Sequence, residues 1–287
     1  MQNLYEVIKG SLFFNRFVLD DLVCVEYTCP LEDEHLGVFT KYDYIIHVLS
    51  GRKSWKTVHG RWTIEEGETL YVKKGAAILT QYFDDDFCML GFFLPDDIIR
   101  ESLSNLRSEL QDAPAHMADS FTAAEVGRSQ YMESFFHSML GYFRSKEQPP
   151  ESIIRLKIKE LLLNLVHHSH NDPIRSYLKY QLEHNRPSLA HIMESNFCFN
   201  LKLEEFAQMC HRSLSAFKRD FTSYYGVTPG KWLLNKRLDH AAGLLKGTGE
   251  SISQITFDSG FEDLSHFGKT FRKKYGMSPS DFRSIMT

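Results

Sequence analysis

The sequence predicts an α+β protein in which a small β-barrel with added helices precedes an all-helical domain. Three observations carry this prediction. Short runs rich in β-branched and aromatic residues fill residues 1–95, apolar residues at helical spacing dominate the remainder, and one helical pattern occurs twice near the end. The expected domains are residues 1–95 (barrel), 96–185 (helical segment) and 186–287 (helical domain).

The barrel is predicted from short strands that turn residues separate. Ser50-Gly51 and Glu66-Gly67 are two of these turns. Several short strands at such intervals favour a sandwich or a small barrel. The predicted strands are Leu22–Thr28, Tyr44–Leu49, Ser54–Val58, Leu70–Val72, Ala77–Tyr82 and Phe87–Leu94.

A small barrel can enclose one small molecule, so the first domain is a candidate effector site. Tyr44, His47, Trp55 and Tyr82 are the candidate lining residues, with plain core or surface positions as the alternative for each. The histidines of this region occur singly, whereas a metal site needs several imidazoles or carboxylates close together. We therefore expect no metal and no other cofactor.

The middle segment is predicted to be helical, with helices at Pro95–Leu106, Tyr131–Phe143 and Ser152–Val166. The third helix is more apolar than burial of one face requires. Its stripe of Ile154, Ile158, Leu161, Leu162 and Leu165 packs either within the chain or against a second subunit, as a homodimer. Three histidines between residues 167 and 170 are interpreted as a solvated helix end rather than a metal site.

The last hundred residues contain a repeat with a period of fifty residues, which predicts two helix-turn-helix units. Ser213 and Asp263 are the expected N-caps of the second helices. In each of those helices an apolar stripe faces the core and a polar face is left exposed. The stripes are Leu214, Phe217, Phe221 and Leu264, Phe267, Phe271, and each is followed by a glycine and a proline.

The exposed faces predict contacts with double-stranded DNA. They carry hydroxyls, an imidazole and cations, the groups that contact base edges and phosphates. Between the two units, Gly230–Lys246 predicts a helix of roughly 25 Å. A helix of that length could hold two recognition helices about one DNA turn apart.

The C-terminal pattern resembles the AraC/XylS family of bacterial transcription regulators over residues 186–287. The matching residues are Arg237, Leu238, Ala241, Leu244, Leu245, Ser251, Ile252, Ile255, Gly260, Phe261, Phe267, Phe271, Gly276, Ser278, Pro279, Phe282 and Arg283. The resemblance implies sequence-specific binding to promoter DNA, activation of transcription and a contact with RNA polymerase. Family positions that read bases fall on Ser215, Lys218, Arg219, Ser265, His266 and Lys269, and the exposed face adds Lys273.

Three residues depart from the family pattern: Thr256 replaces a small alanine, Gly268 weakens the second recognition helix, and the first turn lacks glycine. Elsewhere, Ile64–Val72 resembles one turn and strand of a cupin-like barrel, the usual N-terminal domain of the family. A cupin-type enzyme is the rival function. It needs converging metal ligands or acid–base residues in residues 1–95, and the sequence offers no such set, so we expect no enzyme.

Composition adds weaker expectations. Residues 187–287 hold 13 Lys and Arg against 10 Asp and Glu, so this region is slightly basic in a chain of net charge −4. Five scattered cysteines favour the reducing cytoplasm, and no apolar run is long enough for a membrane span. Whether a small-molecule effector or a partner protein controls the first domain stays open.

Overall fold

A computed structural model describes residues 1–28, 34–82, 86–114, 117–168 and 170–286. The chain divides into two compact units, Met1–Pro187 and Ser188–Thr287. The helical segment expected at 96–185 belongs to the same unit as the strands.

The described part of the first unit contains eleven strands in two sheets. One sheet has the strand order β1-β4-β9-β6-β7, and the other has the order β11-β8-β5-β10-β3-β2. The predicted α+β class is confirmed, and the barrel is an open one made of these two sheets. The strands are β1 Gln2–Asn3, β2 Asn15–Leu19, β3 Leu22–Thr28, β4 His35–Thr40, β5 Asp43–Ser50, β6 Arg52–Thr57, β7 Gly60–Glu65, β8 Thr69–Val72, β9 Gly75–Gln81, β10 Cys88–Leu94 and β11 Ala123–Glu125.

Strand β5 shows how the sheets create two separate cores. Side chains alternate along a strand, so Tyr44 and Ile46 join one apolar cluster with Trp55 of the other sheet. Ile45 points to the opposite face and joins a second cluster with the helices. One core therefore lies between the strands of the two sheets, and the other lies under the helices.

Five α-helices lie among the described residues of the first unit, and four of them contribute side chains to the second core. α4 supplies the predicted apolar stripe, but all five of its residues are buried inside this unit, at 1% exposure or less. The stripe is thus not a free dimer surface, and the exposed apolar residue of α4 is Leu156, at 61%. The helices are α1 Leu4–Gly10, α2 Asp96–Leu103, α3 Gln130–Arg144, α4 Glu151–His167 and α5 Asp172–Glu183.

Asp43, at the start of β5, is a fully buried carboxylate that joins the sheet to α5. Its oxygens accept hydrogen bonds from the Tyr71 hydroxyl at 2.9 Å and the Lys74 backbone N–H at 2.8 Å. From α5 it accepts hydrogen bonds from the Tyr177 hydroxyl at 3.2 Å and the Gln181 amide at 2.6 Å. Burial raises the pKa of both phenols well above its usual value, so both stay protonated as donors.

Over residues 188–286 the second unit contains seven helices, and the predicted pair of helix-turn-helix units joined by one helix is confirmed. Gly226 and Gly276 end α8 and α11 with positive φ of 70° and 78°. Pro229 and Pro279, expected only to stop a helix, begin α9 and α12. The helices are α6 Leu189–Asn196, α7 Leu203–Met209, α8 Leu214–Tyr225, α9 Pro229–Gly247, α10 Ile252–Asp258, α11 Leu264–Tyr275 and α12 Pro279–Met286.

Candidate nucleic-acid interface

The helices α8 and α11 are anchored in the same way. The Ser213 side chain accepts a hydrogen bond from the Ala216 N–H, and Asp263 accepts from two backbone N–H groups, as predicted for N-caps. The four predicted phenylalanines of the stripes are fully buried. The first residue of each stripe does not follow this pattern, because Leu264 is 47% exposed and Leu214 is half-buried.

The buried phenylalanines fix which face of each helix is free. All seven residues predicted to contact DNA are exposed, three on α8 and four on α11. The two sets are Ser215, Lys218 and Arg219, and Ser265, His266, Lys269 and Lys273.

Arg219 on α8 is held by an acidic neighbour that sequence reasoning missed. Its Nε and Nη2 donate to Asp220 Oδ1 at 3.2 and 3.0 Å. Arg212, in the turn before α8, donates to the other oxygen of Asp220 at 3.2 Å. Hydrogen bonds from Arg219 and Arg212 lower the pKa of Asp220, so the carboxylate is charged at neutral pH.

Lys274 on α11 faces the linker helix α9 instead of the free face. Its Nζ lies 2.7 Å from Asp239 Oδ1 and donates to the Asn235 carbonyl at 3.0 Å. The Tyr275 hydroxyl donates to the same Asp239 oxygen at 2.6 Å. Lys274 therefore serves to attach α11 to α9.

The segment between α6 and α7 contacts both α9 and the turn of the second helix-turn-helix unit. Arg237 of α9 donates Nε to the Phe197 carbonyl at 2.6 Å and Nη2 to the Phe199 carbonyl at 2.7 Å. Gly260 lies against this point with φ of 82°, and a Cβ there would come within 2.7 Å of the Cys198 carbonyl oxygen. Burial lowers the pKa of Arg237 from its usual value.

The residues that depart from the family pattern are accommodated locally. Thr256 is fully buried, and its hydroxyl donates to the Ile252 carbonyl at 2.7 Å within α10. In the first turn, which lacks glycine, His211 takes the positive φ of 52°. Gly268 lies within the continuous helix α11.

A cavity of about 210 Å³ lies in the core between the strands of the two sheets. Of the four predicted ligand residues, Tyr44 and Trp55 line it, and His47 and Tyr82 are not among its lining residues. Trp55 Nε1 is buried, and the Trp55 and Tyr44 side chains interact with each other. The other lining residues are Gln2, Leu4, Val7, Ile8, Ser11, Phe13, Phe14, Tyr27, Leu36, Val38, Lys53, Leu79, Met89 and Phe93.

His47 and Tyr82 have other surroundings. The His47 ring stacks on Phe136 at 3.8 Å between centroids, and its Nδ1 lies 3.0 Å from the Thr69 hydroxyl. The Tyr82 hydroxyl lies 2.9 Å from that of Ser54, and the Arg52 guanidinium lies 4.5 Å from its ring. His47 faces the helices, because it occupies the opposite face of β5 from Tyr44.

The buried position of His47 predicts a pH-dependent stability. Burial, then the charges of His137 and Arg128, lower its pKa from 6.5 to about 4. The unfolded chain thus binds more protons between these values, so stability is fully present above pH 6.5 and falls as the pH approaches 4. This one residue should account for a loss of about 3 kcal/mol.

Urea titrations of the wild type and of His47→Gln from pH 7 to pH 4 measure this effect. Carboxylates titrate in both proteins, so the difference between the two curves isolates the histidine. Identical pH dependence of the two unfolding free energies would contradict the prediction.

The described ranges contain no candidate metal centre. No three or more His, Cys, Asp or Glu side chains there are placed to hold a metal ion. Of the predicted histidine cluster, His167 lies 3.0 Å from Glu109 and His168 lies 3.2 Å from the Arg128 carbonyl. None of the described helices has the length and apolar character to cross a membrane.

Two family models match the sequence: the ExsA N-terminal regulatory domain over residues 43–177 and a helix-turn-helix domain over residues 206–285. The virulence regulon transcriptional activator VirF of Yersinia enterocolitica is 24% identical over 84% of this chain and 89% of its own. The HTH-type transcriptional regulator ExsA of Pseudomonas aeruginosa is 24% identical over 85% of this chain and 86% of its own.

Solved structures with similarity include the DNA-binding domain of AdpA in complex with a target DNA. It has 27% identity and a TM-score of 0.31 and covers 34% of this chain and 83% of its own. Apo ToxT K231A of Vibrio cholerae has 14% identity and a TM-score of 0.42 and covers 93% of this chain and 98% of its own.

Proposed function

The chain belongs to the AraC/XylS family of bacterial transcription regulators, and we propose that it activates transcription by placing α8 and α11 in successive major grooves of promoter DNA. Activation would proceed through a contact with RNA polymerase. Because bacterial promoters lie in the cytoplasm, this function requires a cytoplasmic protein. It also assigns the chain a binding role and no catalysis.

One observation carries the proposal: an exposed polar face occurs on each of two helices that a single helix joins. α9 has 19 residues, and at 1.5 Å per residue it is about 28 Å long. This length suits the roughly 34 Å that separates successive major grooves on one side of DNA. The exposed residues are those whose hydroxyl, imidazole, ammonium and guanidinium groups can contact bases and phosphates.

The first unit would regulate the activity of the protein. The cavity between the strands supports a small-molecule effector, because its lining is mostly apolar with a few polar side chains, Gln2, Ser11 and Lys53. The alternative, a partner protein, is favoured by two apolar side chains beside the cavity, Leu12 and Phe13, which are 90% and 92% exposed. Thermal-shift screening against metabolites and a pull-down with the first unit separate the two. The effector would be excluded if no metabolite shifted the melting temperature and if a partner protein bound the wild type but not Leu12→Ser or Phe13→Ser.

A homodimer would use the outer face of α4, where Leu156 is exposed and Leu163, two turns further along the helix, is half-buried. A second DNA-binding unit on the same DNA would raise avidity without new kinds of base contact. Sedimentation of Leu156→Glu against the wild type tests this: a monomeric wild type or a dimeric variant would refute this surface.

DNA binding by the second unit alone is the experiment that tests the proposed function. Residues 188–287 form a compact unit with their own core. The isolated fragment should bind duplex DNA at low salt. Its affinity should fall by more than about tenfold between 50 and 200 mM salt, because the release of counterions from the DNA favours binding less at higher salt. Fluorescence anisotropy measures both. A folded fragment that ignores DNA at low salt would refute the function.

Alanine variants of the cations on α8 and α11 should distinguish residues that contact bases from a residue that attaches α11 to α9. Arg219→Ala and Lys269→Ala should each relax preference at one half of the site, by about 1–3 kcal/mol for the preferred base. Lys274→Ala is the matched control, because its ammonium is already engaged by Asp239. Competition binding with single-base variants of a selected site measures each preference. Equal weakening of every sequence by all three changes would show that the helix faces are wrongly assigned.

A further inference from the structure

Asp220 joins two arginines at the first recognition helix. Arg212 is only 14% exposed, and it donates to the Cys210 carbonyl at 2.9 Å as well as to Asp220 Oδ2 at 3.2 Å. Asp220 Oδ1 in turn accepts two hydrogen bonds from Arg219, whose side chain is 77% exposed. A continuous series of hydrogen bonds thus links the backbone of the turn to an exposed guanidinium.

The donors that remain on Arg219 match one base. A guanidinium has five N–H donors. Asp220 engages Nε and Nη2 along one edge, which leaves the Nη1 donors and one Nη2 donor at the far end. Two adjacent donors at that end fit the O6 and N7 acceptors of guanine in the major groove, the commonest specific contact of arginine with DNA.

The second recognition helix has no equivalent of this arrangement. Fifty residues on, Glu262, Lys269 and Thr270 stand where the first copy has Arg212, Arg219 and Asp220. Glu262 accepts a hydrogen bond from Asn200, and the Thr270 hydroxyl donates to the His266 carbonyl at 2.8 Å. The two copies therefore present different chemistry to DNA.

We propose that Asp220 is a positioning residue that orients Arg219 toward a guanine, so that the first helix-turn-helix unit requires guanine at one position of the promoter site. The proposal rests on the proposed function, in which α8 contacts base edges. A side chain ordered before binding loses less conformational entropy on contact. Arg219 would thereby discriminate guanine more strongly than a freely rotating arginine.

Asp220 has two opposing effects on binding, and this makes its role measurable. As a negative charge near DNA, it repels phosphates and weakens binding to every sequence equally. As a positioning residue, it strengthens binding only to sites with the guanine. Loss of Asp220 should therefore leave non-specific binding equal or tighter while lowering discrimination, which neither pure repulsion nor partial unfolding would produce.

The experiment uses the full-length chain and a random duplex library. Selection with the wild type defines the preferred base at each position, and Arg219→Ala identifies the guanine that this residue reads. Asp220→Asn should lower the preference for guanine there by roughly tenfold or more, leave the other positions unchanged, and not weaken binding to random DNA. Arg212→Ala, which removes the second anchor of Asp220, should lower the same preference in part.

Glu262→Gln is the matched control, because it removes one negative charge beside the other recognition helix. It should leave the guanine preference unchanged. A wild type that selects no sequence would refute the proposed function itself. Two results would overturn the positioning role alone, provided that the wild type selects a sequence. One is that all base preferences persist in Arg219→Ala, and the other is that all preferences change equally in Asp220→Asn. Circular dichroism confirms that each variant is folded.

Discussion

Replacing Asp43 with alanine should lower the free energy of unfolding of the first unit by about 3–5 kcal/mol. Two phenols, an amide and a backbone N–H would lose their acceptor in a fully buried place, and each unsatisfied donor costs about 1–3 kcal/mol. Partial relaxation of the neighbouring side chains keeps the total below the sum of the four.

Urea unfolding in a Trp232→Phe background measures this loss, because the remaining tryptophans, Trp55 and Trp62, both lie in the first unit. Asp43→Asn is the control, since it keeps one acceptor oxygen and should lose about half as much. A loss below about 1 kcal/mol for Asp43→Ala would mean that the network contributes little to the fold.

Replacing Arg237 with alanine should destabilise the isolated second unit by about 2–4 kcal/mol. The carbonyls of Phe197 and Phe199 belong to buried residues and would each lose a hydrogen bond from a charged donor. Because Arg237 holds the segment that leads into α7 beside the turn at Gly260, binding to a full site should also weaken more than binding to a half-site.

The neighbouring Lys236→Ala is the matched control for this change. Lys236 pairs with Glu194 at 2.5 Å, but both side chains are more than a third exposed, so its loss should cost less than about 1 kcal/mol. Urea titrations of fragment 188–287 give the two values. Comparable losses for Arg237→Ala and Lys236→Ala would show that the buried contacts of Arg237 add no stability.

Most strands that sequence patterns predicted contain runs of apolar residues, with β6 around Trp55 as an exception. β3 matches the predicted Leu22–Thr28, and five of its seven residues are buried. β7 was missed because most of its residues are exposed and only Trp62 and Ile64 are apolar. α1 has seven residues, too few for helical periodicity alone to identify it, whereas the equally short α7 and α10 were recognised from the repeat.

The candidate site was also predictable only in part. The free faces of α8 and α11 follow from the spacing of Phe217, Phe221, Phe267 and Phe271, since helix geometry is local. Side-chain networks were not predictable, because they depend on tertiary approach. Asp43 and Tyr177, for instance, are 134 residues apart in the chain. Even Arg212 and Asp220, only eight residues apart, meet because the turn folds back on α8.

On α8 and α11, the residues that hold the helix and the residues proposed to contact DNA are different, and this affects how such a regulator can evolve. The phenylalanines that hold the helices are buried, whereas the residues proposed to read DNA are exposed. Exposed substitutions usually change stability by less than about 0.5 kcal/mol, whereas a buried Phe→Ala costs about 3–5 kcal/mol. New promoter preferences can therefore arise one half-site at a time by mutations that are nearly neutral for folding.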